Sequence, residues 1–543
     1  MKSKRLVGLF AVFIALFGLL IVRLVRLAQP DSAISQAAQT HGSYNLKLGV
    51  ERGTIYDTNL NSLVNTQSAY IAVVRPQKNP STQFAALSPH VADWDDLKKK
   101  LSTRLPFSIR VNTPNLKAQG VLVVRMDQRY SGSDIAPQLI GYLDSSGNGA
   151  TGLEKSYNAV LAQNTQTLYA DFPVDATGRS LTGLPPEIRQ EGESHTGGIV
   201  LTIDRDIQQA AQKAADKYLK AGAVVVMDPK TGDILASVSN PSFNQNNLAA
   251  ALKGTNSPML NRAFTAFNVG SVFKINVAAA ALESGVSANF SVQDNGSIVV
   301  AGRTFHDENT SGYGLMDMAT GMSNSSNIYY ITLGQKIGAE TVLNMAQRLG
   351  FGHTYELAPG LLPSAGNLPS SSELGIPAAL ANFSIGQGTF MATPIQVARM
   401  VSAVATGGLL PMPRLVKASV DKNRQITRTY SNATPDRVFS ASTANQLQQF
   451  LITTVKEGTG RPAAPVYGGA GGKTSTAQTG WVENGKAMNQ TWFAGFYPAE
   501  NPRYVIAAMM QNGTAGGTDA GPVFKYIADS LAPKLGYPAV PLQ

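Results

Sequence analysis

Leu6 to Val22 is an unbroken run of 17 residues without a charged side chain. As an α-helix it extends about 26 Å, close to the hydrocarbon thickness of a bilayer. Lys2, Lys4 and Arg5 precede it, and Arg23 and Arg26 stand where long side chains can snorkel to the far interface. The run continues into Arg23-Leu-Val-Arg26 with no small-residue cleavage site, which favours an anchor over a removed signal peptide. Residues 1–5 then form a short tail, 6–27 a transmembrane anchor, and the rest lies in one compartment. Three basic residues before the run and two after it bias the tail to the cytoplasm and the body to the extracytoplasmic side.

At 543 residues the chain exceeds one hydrophobic core, so two or three domains are expected. Hydrophobic residues at 43% and charged residues at 15% mark a globular protein. The absence of cysteine excludes disulfides, thiolate catalysis and Cys-ligated zinc. Five scattered histidines without H-E-x-x-H spacing speak against a catalytic metal, and no cofactor is expected. The net charge of +10 is spread along the chain, with Lys98–Lys100 the longest basic run. That pattern argues against nucleic acid as a partner and suits an anionic membrane or wall surface.

Residues 28–195 mix short strand-like and polar segments, without a nucleophile beside a base, and read as an extracytoplasmic pedestal. Glu191–Gly198 marks a boundary, and 196–543 forms the second domain. There Leu201-Thr-Ile-Asp204 leads into a helix over Ile207–Leu219, followed by a hairpin over Ala223–Val238 turning at Asp228-Pro-Lys-Thr-Gly-Asp233. The middle, to about Val404, is largely helical. Gly472–Gln478, Thr491–Tyr497 and Tyr504–Gln511 read as strands, with a closing helix over Tyr526–Leu535. The expected fold class is α+β, a central antiparallel sheet flanked by helices plus a helical lobe.

Three separated motifs carry the chemistry: Ser271-Val-Phe-Lys274, Ser325-Ser-Asn327 and Lys473-Thr-Ser-Thr476. They supply a nucleophile, a base other than histidine, a polar partner and a cationic strand edge, the equipment for acyl transfer through a serine ester. Ser271 follows Gly270 and opens the Ala-rich stretch Ile275–Leu282 that stops at Gly285; three residues on, Lys274 shares its helix face. Ser419-Val-Asp-Lys422 repeats the first motif, but lies in a polar run, Lys417–Arg428, that reads as a solvated turn. Lys230-Thr231-Gly232 repeats the usual third motif inside the hairpin turn. Ser-x-Asn also recurs at Ser146-Gly-Asn148 and Ser242-Phe-Asn244 as a turn signal, so position alone selects Ser325–Asn327. Gly468, Gly469, Gly471 and Gly472 are either a flexible strand entry or a wall approached closely by a peptide. Trp492 and Phe496 share a strand face and read as core.

With these residues the chain resembles the class B penicillin-binding proteins, monofunctional peptidoglycan transpeptidases. The resemblance extends to Arg52-Gly53 and Asp57, Gly152-Leu-Glu154 and Tyr157, Leu201–Asp204, Asp228-Pro229, Asn261-Arg-Ala263, Gly386-Gln-Gly388 and Thr393-Pro-Ile-Gln396. It implies a penicillin-binding transpeptidase domain on an extended, membrane-anchored pedestal. No acidic glycosyltransferase motif stands between anchor and catalytic domain, unlike the bifunctional class A enzymes, and C-terminal wall-binding repeats are not expected. Two positions depart from the family pattern. Val269 stands where proline is common, and Ser475 where the third motif usually has glycine; its hydroxymethyl is expected to crowd a ligand lying along the strand.

The resemblance implies roles for single residues. Ser271 attacks the carbonyl between two D-alanines of a stem peptide, and an amine of a neighbouring stem takes the acyl group. Lys274 acts as the base, neutral through burial and the nearby charge of Lys473. Ser325 relays a proton to the departing amine and Asn327 orients Lys274 and the substrate amide. The N–H groups of Ser271 and Thr476 form the oxyanion hole. Lys473, Thr474, Ser475 and Thr476 line the substrate strand, and Lys473, Thr474 and Thr476 hold the terminal carboxylate. β-Lactams are expected as covalent inhibitors, and a polytopic membrane glycosyltransferase as partner. Two other readings compete: a β-lactam-hydrolysing serine enzyme, and a β-lactam sensor or scaffold of a wall-synthesis complex. Glu340-Thr-Val-Leu-Asn344 imitates the E-x-x-L-N of class A β-lactamases, but follows Asn327 too closely for that motif's loop.

Overall fold

The computed structural model of the protein describes residues 2–27, 43–132, 135–174, 185–483 and 485–541. Lys2–Leu27 is one helix, and its Val7–Arg26 portion is apolar and long enough to cross a bilayer, with none of it buried by protein. Apolar side chains cover it on all sides, the pattern of a helix solvated by lipid.

The chain divides into two compact units that interleave along it, the N-terminal helix counted with the first. The first comprises Met1–Arg52, Asn65–Arg129 and Thr165–His195; the second comprises Gly53–Val64, Tyr130–Asn164 and Thr196–Gln543. The linear division at 195/196 thus differs from the packing by two segments, which lie within 28–195 but fold with the second unit. The clearest reason is strand pairing: Thr54–Tyr56 adds in parallel to Gly198–Leu201.

The first unit holds two three-stranded antiparallel sheets. Gln166–Pro173 lies between Ser43–Glu51 and Glu187–Gly192, and Gln67–Val74 lies between Phe107–Val111 and Val121–Gln128. Helix Trp94–Ser102, capped by the Asp93 carboxylate, buries Leu97 and Leu101 against Phe107 and Ile109. His195 faces Glu51 at 3.4 Å through Nδ1 and Asp127 at 3.2 Å through Nε2, tying three segments together.

The second unit is built on a five-stranded antiparallel sheet in the order Ile234–Asn240, Gly222–Met227, Tyr504–Gly513, Lys486–Tyr497, Gly471–Glu483. Period two decides its faces. Val224, Val226, Phe493, Ile506 and Ala508 pack on helices Arg205–Tyr218 and Gly521–Leu531. Ala223, Val225, Met227, Trp492, Ala494, Phe496, Ala507 and Met509 face a helical lobe that includes Lys274–Glu283, Asn327–Ile337 and Pro394–Ala405. The expected hairpin, strands and helices are all present, and Trp492 and Phe496 are fully buried.

Two local readings change. Lys417–Arg428 is not a solvated turn: Val416–Val420 is a strand between Gly198–Leu201 and Ile426–Thr429, with Ser419 buried, and only Asp421–Gln425 turns. Apolar Val416, Ala418 and Val420 alternate with the polar residues, so period two was masked by the lysines around it. Gly471 and Gly472 serve aromatic packing, because a Cβ at either would lie 2.2 Å from the Phe496 ring or 2.5 Å from that of Phe493.

Candidate active site

The structure brings the three motifs together in the second unit. Ser271 lies in the 3₁₀ turn Gly270–Phe273, which runs into helix Lys274–Glu283. Gly270 adopts φ +63°, a left-handed conformation that glycine takes without strain. Its N–H donates to Gly386 O at 2.8 Å, and a Cβ at Gly386 would stand 2.1 Å from Gly270 O. That close approach explains the Gly386-Gln-Gly388 motif. With its amide oriented to satisfy both partners, the Gln387 carboxamide pairs with the backbone of Gln478, accepting from its N–H at 3.1 Å and donating to its carbonyl at 3.3 Å. Among the described residues no group holds the Ser271 hydroxyl, and Ser271 is half-buried.

Lys274 is fully buried. Its Nζ donates to Ser325 O at 2.6 Å, Asn327 Oδ1 at 2.9 Å and Ser325 Oγ at 3.3 Å, and it lies over the Tyr330 ring at 5.8 Å. Burial drives its pKa down to about 7, against the upward pull of Asp307 and then Asp294. Ser325 occupies a left-handed turn at φ +60°, directly before Ser326, the N-cap of helix Asn327–Ile337. The Asn327 Nδ2 donates to His306 O at 2.8 Å, which orients its carbonyl oxygen toward Lys274.

Lys473, Thr474, Ser475 and Thr476 lie on Gly471–Glu483, an edge strand of the sheet. Lys473 is buried, and its Nζ donates to Thr474 O at 3.0 Å and Thr474 Oγ1 at 3.4 Å. Burial first, then the charge of Lys274, push Lys473 well below the usual amine range. Burial lowers both amines, and their charges repel each other. Thr474 Oγ1 donates to Thr459 Oγ1 at 2.9 Å, and Thr476 Oγ1 accepts from Gly516 N–H at 3.3 Å. Ser475 is turned toward the Gly270–Phe273 turn: its Oγ donates to Val269 O at 2.7 Å. The two departures from the family pattern therefore touch each other, and the added hydroxymethyl is taken up beneath the turn rather than over the strand edge.

Sequence reasoning missed three participants. Ser326, the middle residue of the second motif, is buried between Asp294 and Asp307 and bonded to both. Neither acid belongs to a recognisable spacing; each is simply an acid after a β-rich run in a polar stretch. Trp492, read correctly as core, also donates Nε1–H to Asn268 O at 2.8 Å and supports the approach to the turn. Glu340–Asn344 sits inside helix Ala339–Arg348, as its spacing implies.

Residues 222–529 match the penicillin binding protein transpeptidase domain family. Penicillin-binding protein PbpB of Mycobacterium tuberculosis is 34% identical over 448 residues, covering 77% of this chain and 63% of that protein. PbpB of Mycolicibacterium smegmatis is 33% identical with 66% of its length covered, so the chain spans under two thirds of either mycobacterial relative. Stage V sporulation protein D of Bacillus subtilis is 29% identical, with 96% of this chain and 85% of that protein covered. Among solved structures, penicillin binding protein 3 of M. tuberculosis in complex with aztreonam superposes with a TM-score of 0.64 at 28% identity, covering 91% of this chain and 99% of that one. Fold, motif geometry and these likenesses agree: the chain belongs to the penicillin-binding proteins, in their class B.

Proposed function

We propose that the protein is a peptidoglycan D,D-transpeptidase, a serine acyltransferase that cross-links stem peptides and is acylated by β-lactams. The observation that carries this reading is the Lys274 amine: fully buried, bonded to Ser325 and Asn327, and one turn from Ser271. An amine held near pKa 7 is neutral in a large fraction of molecules at neutral pH and can accept a proton.

In the proposed acylation, Ser271 Oγ bonds to the carbonyl carbon between the two D-alanines, and Lys274 takes its proton. The N–H groups of Ser271 and Thr476 stabilise the oxyanion; loss of one such donor typically lowers rate by about 10²–10³. Ser325 Oγ, 3.3 Å from Lys274 Nζ, relays the proton to the leaving nitrogen as the C–N bond breaks. An amine from a second stem then attacks the ester, gives its proton back along the same route and releases Ser271. Lys473 with Thr474 and Thr476 receives the terminal carboxylate, whose charge restores the ammonium of Lys473. A stem peptide could add alongside the edge strand 471–483, next to the Gln478 backbone that Gln387 pairs.

The N-terminal helix would anchor the protein with its catalytic unit outside the cytoplasm, beside a polytopic glycosyltransferase that polymerises the glycan. Relatives named for transpeptidation, MrdA of Acinetobacter baumannii and PbpA of M. tuberculosis, support the reaction class, and the aztreonam complex of the M. tuberculosis neighbour supports β-lactam binding.

Incubation with a fluorescent penicillin followed by intact mass tests the proposal. Wild type should gain one stable adduct and Ser271→Ala none. Rapid hydrolytic loss of the label would move the assignment to a β-lactamase. Release of D-alanine from a stem pentapeptide with an added acceptor amine then separates an enzyme from a sensor.

A further inference from the structure

Between the nucleophile helix and the Ser325–Asn327 turn the chain forms two short antiparallel pairs. Val292–Asp294 pairs with Gly314–Met316, and Ser297–Val300 pairs with Arg303–His306. Half of the residues in these strands are exposed, yet Asp294, which ends one strand, and Asp307, which follows another, are 1% and 5% exposed. Both converge on Ser326, whose Oγ lies 2.7 Å from Asp294 Oδ2 and 3.0 Å from Asp307 Oδ2. Ser326 Oγ also accepts from Tyr329 N–H at 3.0 Å. Asp294 accepts from Gly296 N–H at 2.8 Å, while Asp307 Oδ1 accepts from the N–H groups of Asn327 and Ile328, capping the helix that follows.

Counting protons restricts this arrangement. A serine hydroxyl brings one proton, and here two carboxyl oxygens lie within hydrogen-bond distance of it. The second contact is a hydrogen bond when one carboxyl carries a proton of its own. Two buried carboxyls across one hydroxyl also repel each other if both ionise, and one proton between them removes that cost.

We infer that Asp294 and Asp307 form a proton-sharing carboxyl pair that fixes the Ser325–Asn327 turn from behind and sets the negative charge facing the Lys274 amine. Both act as positioning residues. Asn327 is the link: its side-chain oxygen accepts from Lys274 Nζ, and its N–H donates to Asp307. Burial, then the hydrogen bond to Asp294, raises Asp307 to about 7, while hydrogen bonds outweigh burial and hold Asp294 low, so the one proton belongs to the pair. The other charged and titratable groups are few. Lys274 faces Lys473 from the edge strand and Tyr330 from its own lobe; Tyr313 faces the two acids; Glu308 faces Lys473. As pH rises, ionisation of Asp307 strengthens the negative field and opposes loss of the Lys274 proton. The two groups therefore titrate against each other and broaden the transition. The consequence for acylation rests on the transpeptidase reading above; the titration itself does not.

The test uses the full-length protein in detergent with ¹³C-labelled lysine and aspartate side chains, followed by NMR against pH. The Lys274 signal is assigned by its loss in Lys274→Arg. Asp307→Asn keeps an oxygen for the Asn327 N–H but cannot ionise, so the Lys274 midpoint should fall by about one pH unit, as expected when a nearby opposite charge is removed. Asp294→Asn should lower it likewise. In wild type, one of the two aspartates should titrate near neutrality while the other stays ionised; this measurement stands even if a variant misfolds. Two aspartates both titrating near the ordinary value of about 4 would overturn the inference. So would an unmoved Lys274 midpoint in variants with wild-type melting. Penicillin labelling across pH runs in parallel: its acidic limb should follow the lysine midpoint downward. Failure of wild type to be labelled would sink the transpeptidase reading and leave the titrations to judge the pair.

Discussion

Gly270→Ala measures how tightly the Gly270–Phe273 turn, which carries Ser271, is wedged against the edge strand. At φ +63° an L-residue costs about 1–2 kcal/mol. The new Cβ would also lie 2.3 Å from Ser475 Oγ and 3.0 Å from Ala477 Cβ. Ser475 cannot simply swing aside, because its hydroxyl is buried and donates to Val269 O at 2.7 Å. Displacing it adds an overpacking cost of about 1–3 kcal/mol and about 1 kcal/mol for the lost hydrogen bond. The single variant should thus lose about 3–6 kcal/mol locally, and a turn shifted by about 1 Å should acylate on the order of 10²-fold more slowly. Ser475→Gly alone should be mild, removing one hydrogen bond and no packing contact with a ligand. In the double variant the clash with Oγ is gone and the φ cost and the Ala477 contact remain. A double-mutant cycle in urea, read by penicillin labelling rate and unfolding midpoint, should show a coupling of about 1–3 kcal/mol. Additivity within about 0.5 kcal/mol would refute the wedge. A large acylation change from Ser475→Gly alone would instead return the hydroxymethyl to the ligand side.

Acylation of wild type should rise with pH through about 7, since the base form of Lys274 is the unprotonated one and burial has lowered its pKa into that range; stopped-flow labelling from pH 5 to 9 checks it, and a flat profile removes Lys274 as the base. Trp492→Phe should keep the core packing but strip Asn268 O of its donor, lowering stability by about 1–3 kcal/mol with the larger effect near the turn; differential scanning calorimetry reads the loss, and an unchanged melt contradicts it. Orientation can be read without background because the chain has no cysteine. Cysteine introduced at exposed Lys253 should react with a membrane-impermeant maleimide on intact cells once any outer barrier is opened, and a reaction only after inner-membrane lysis would reverse the topology. Removing residues 2–27 should shift the protein from membrane to soluble fraction while penicillin labelling of Ser271 persists.

What could be read without coordinates follows from range. Local pattern sufficed for the Arg205–Tyr218 helix, with its apolar residues at helical spacing, and for the 222–240 hairpin and the late strands, read from apolar runs and turn residues. Chemistry picked out Ser271, Lys274 and Lys473 as candidates, and the fold brings their motifs to one place. Contacts across long stretches of chain were not legible. Thr54–Tyr56 joins a strand more than 140 positions later, and nothing in those three residues names the partner. Ser475 is the sharper case. Its identity suggested crowding at a ligand, yet which way a residue on an edge strand points depends on what packs there. Here that is the Val269 carbonyl, 206 residues earlier.

The same logic explains why Asp294 and Asp307 were passed over although they face the amine that the motif search valued most. A motif records residues that touch the reacting atoms, and an acid behind them leaves no spacing to find. Their effect depends on distance and burial, both of which the fold creates. If Lys274 owes part of its proton affinity to this pair, the Ser271-x-x-Lys274 motif specifies a base but not its strength. The strength is then set by two short strand pairs, half of whose residues are exposed, and substitutions there that preserve all three motifs should shift the working pH of the site.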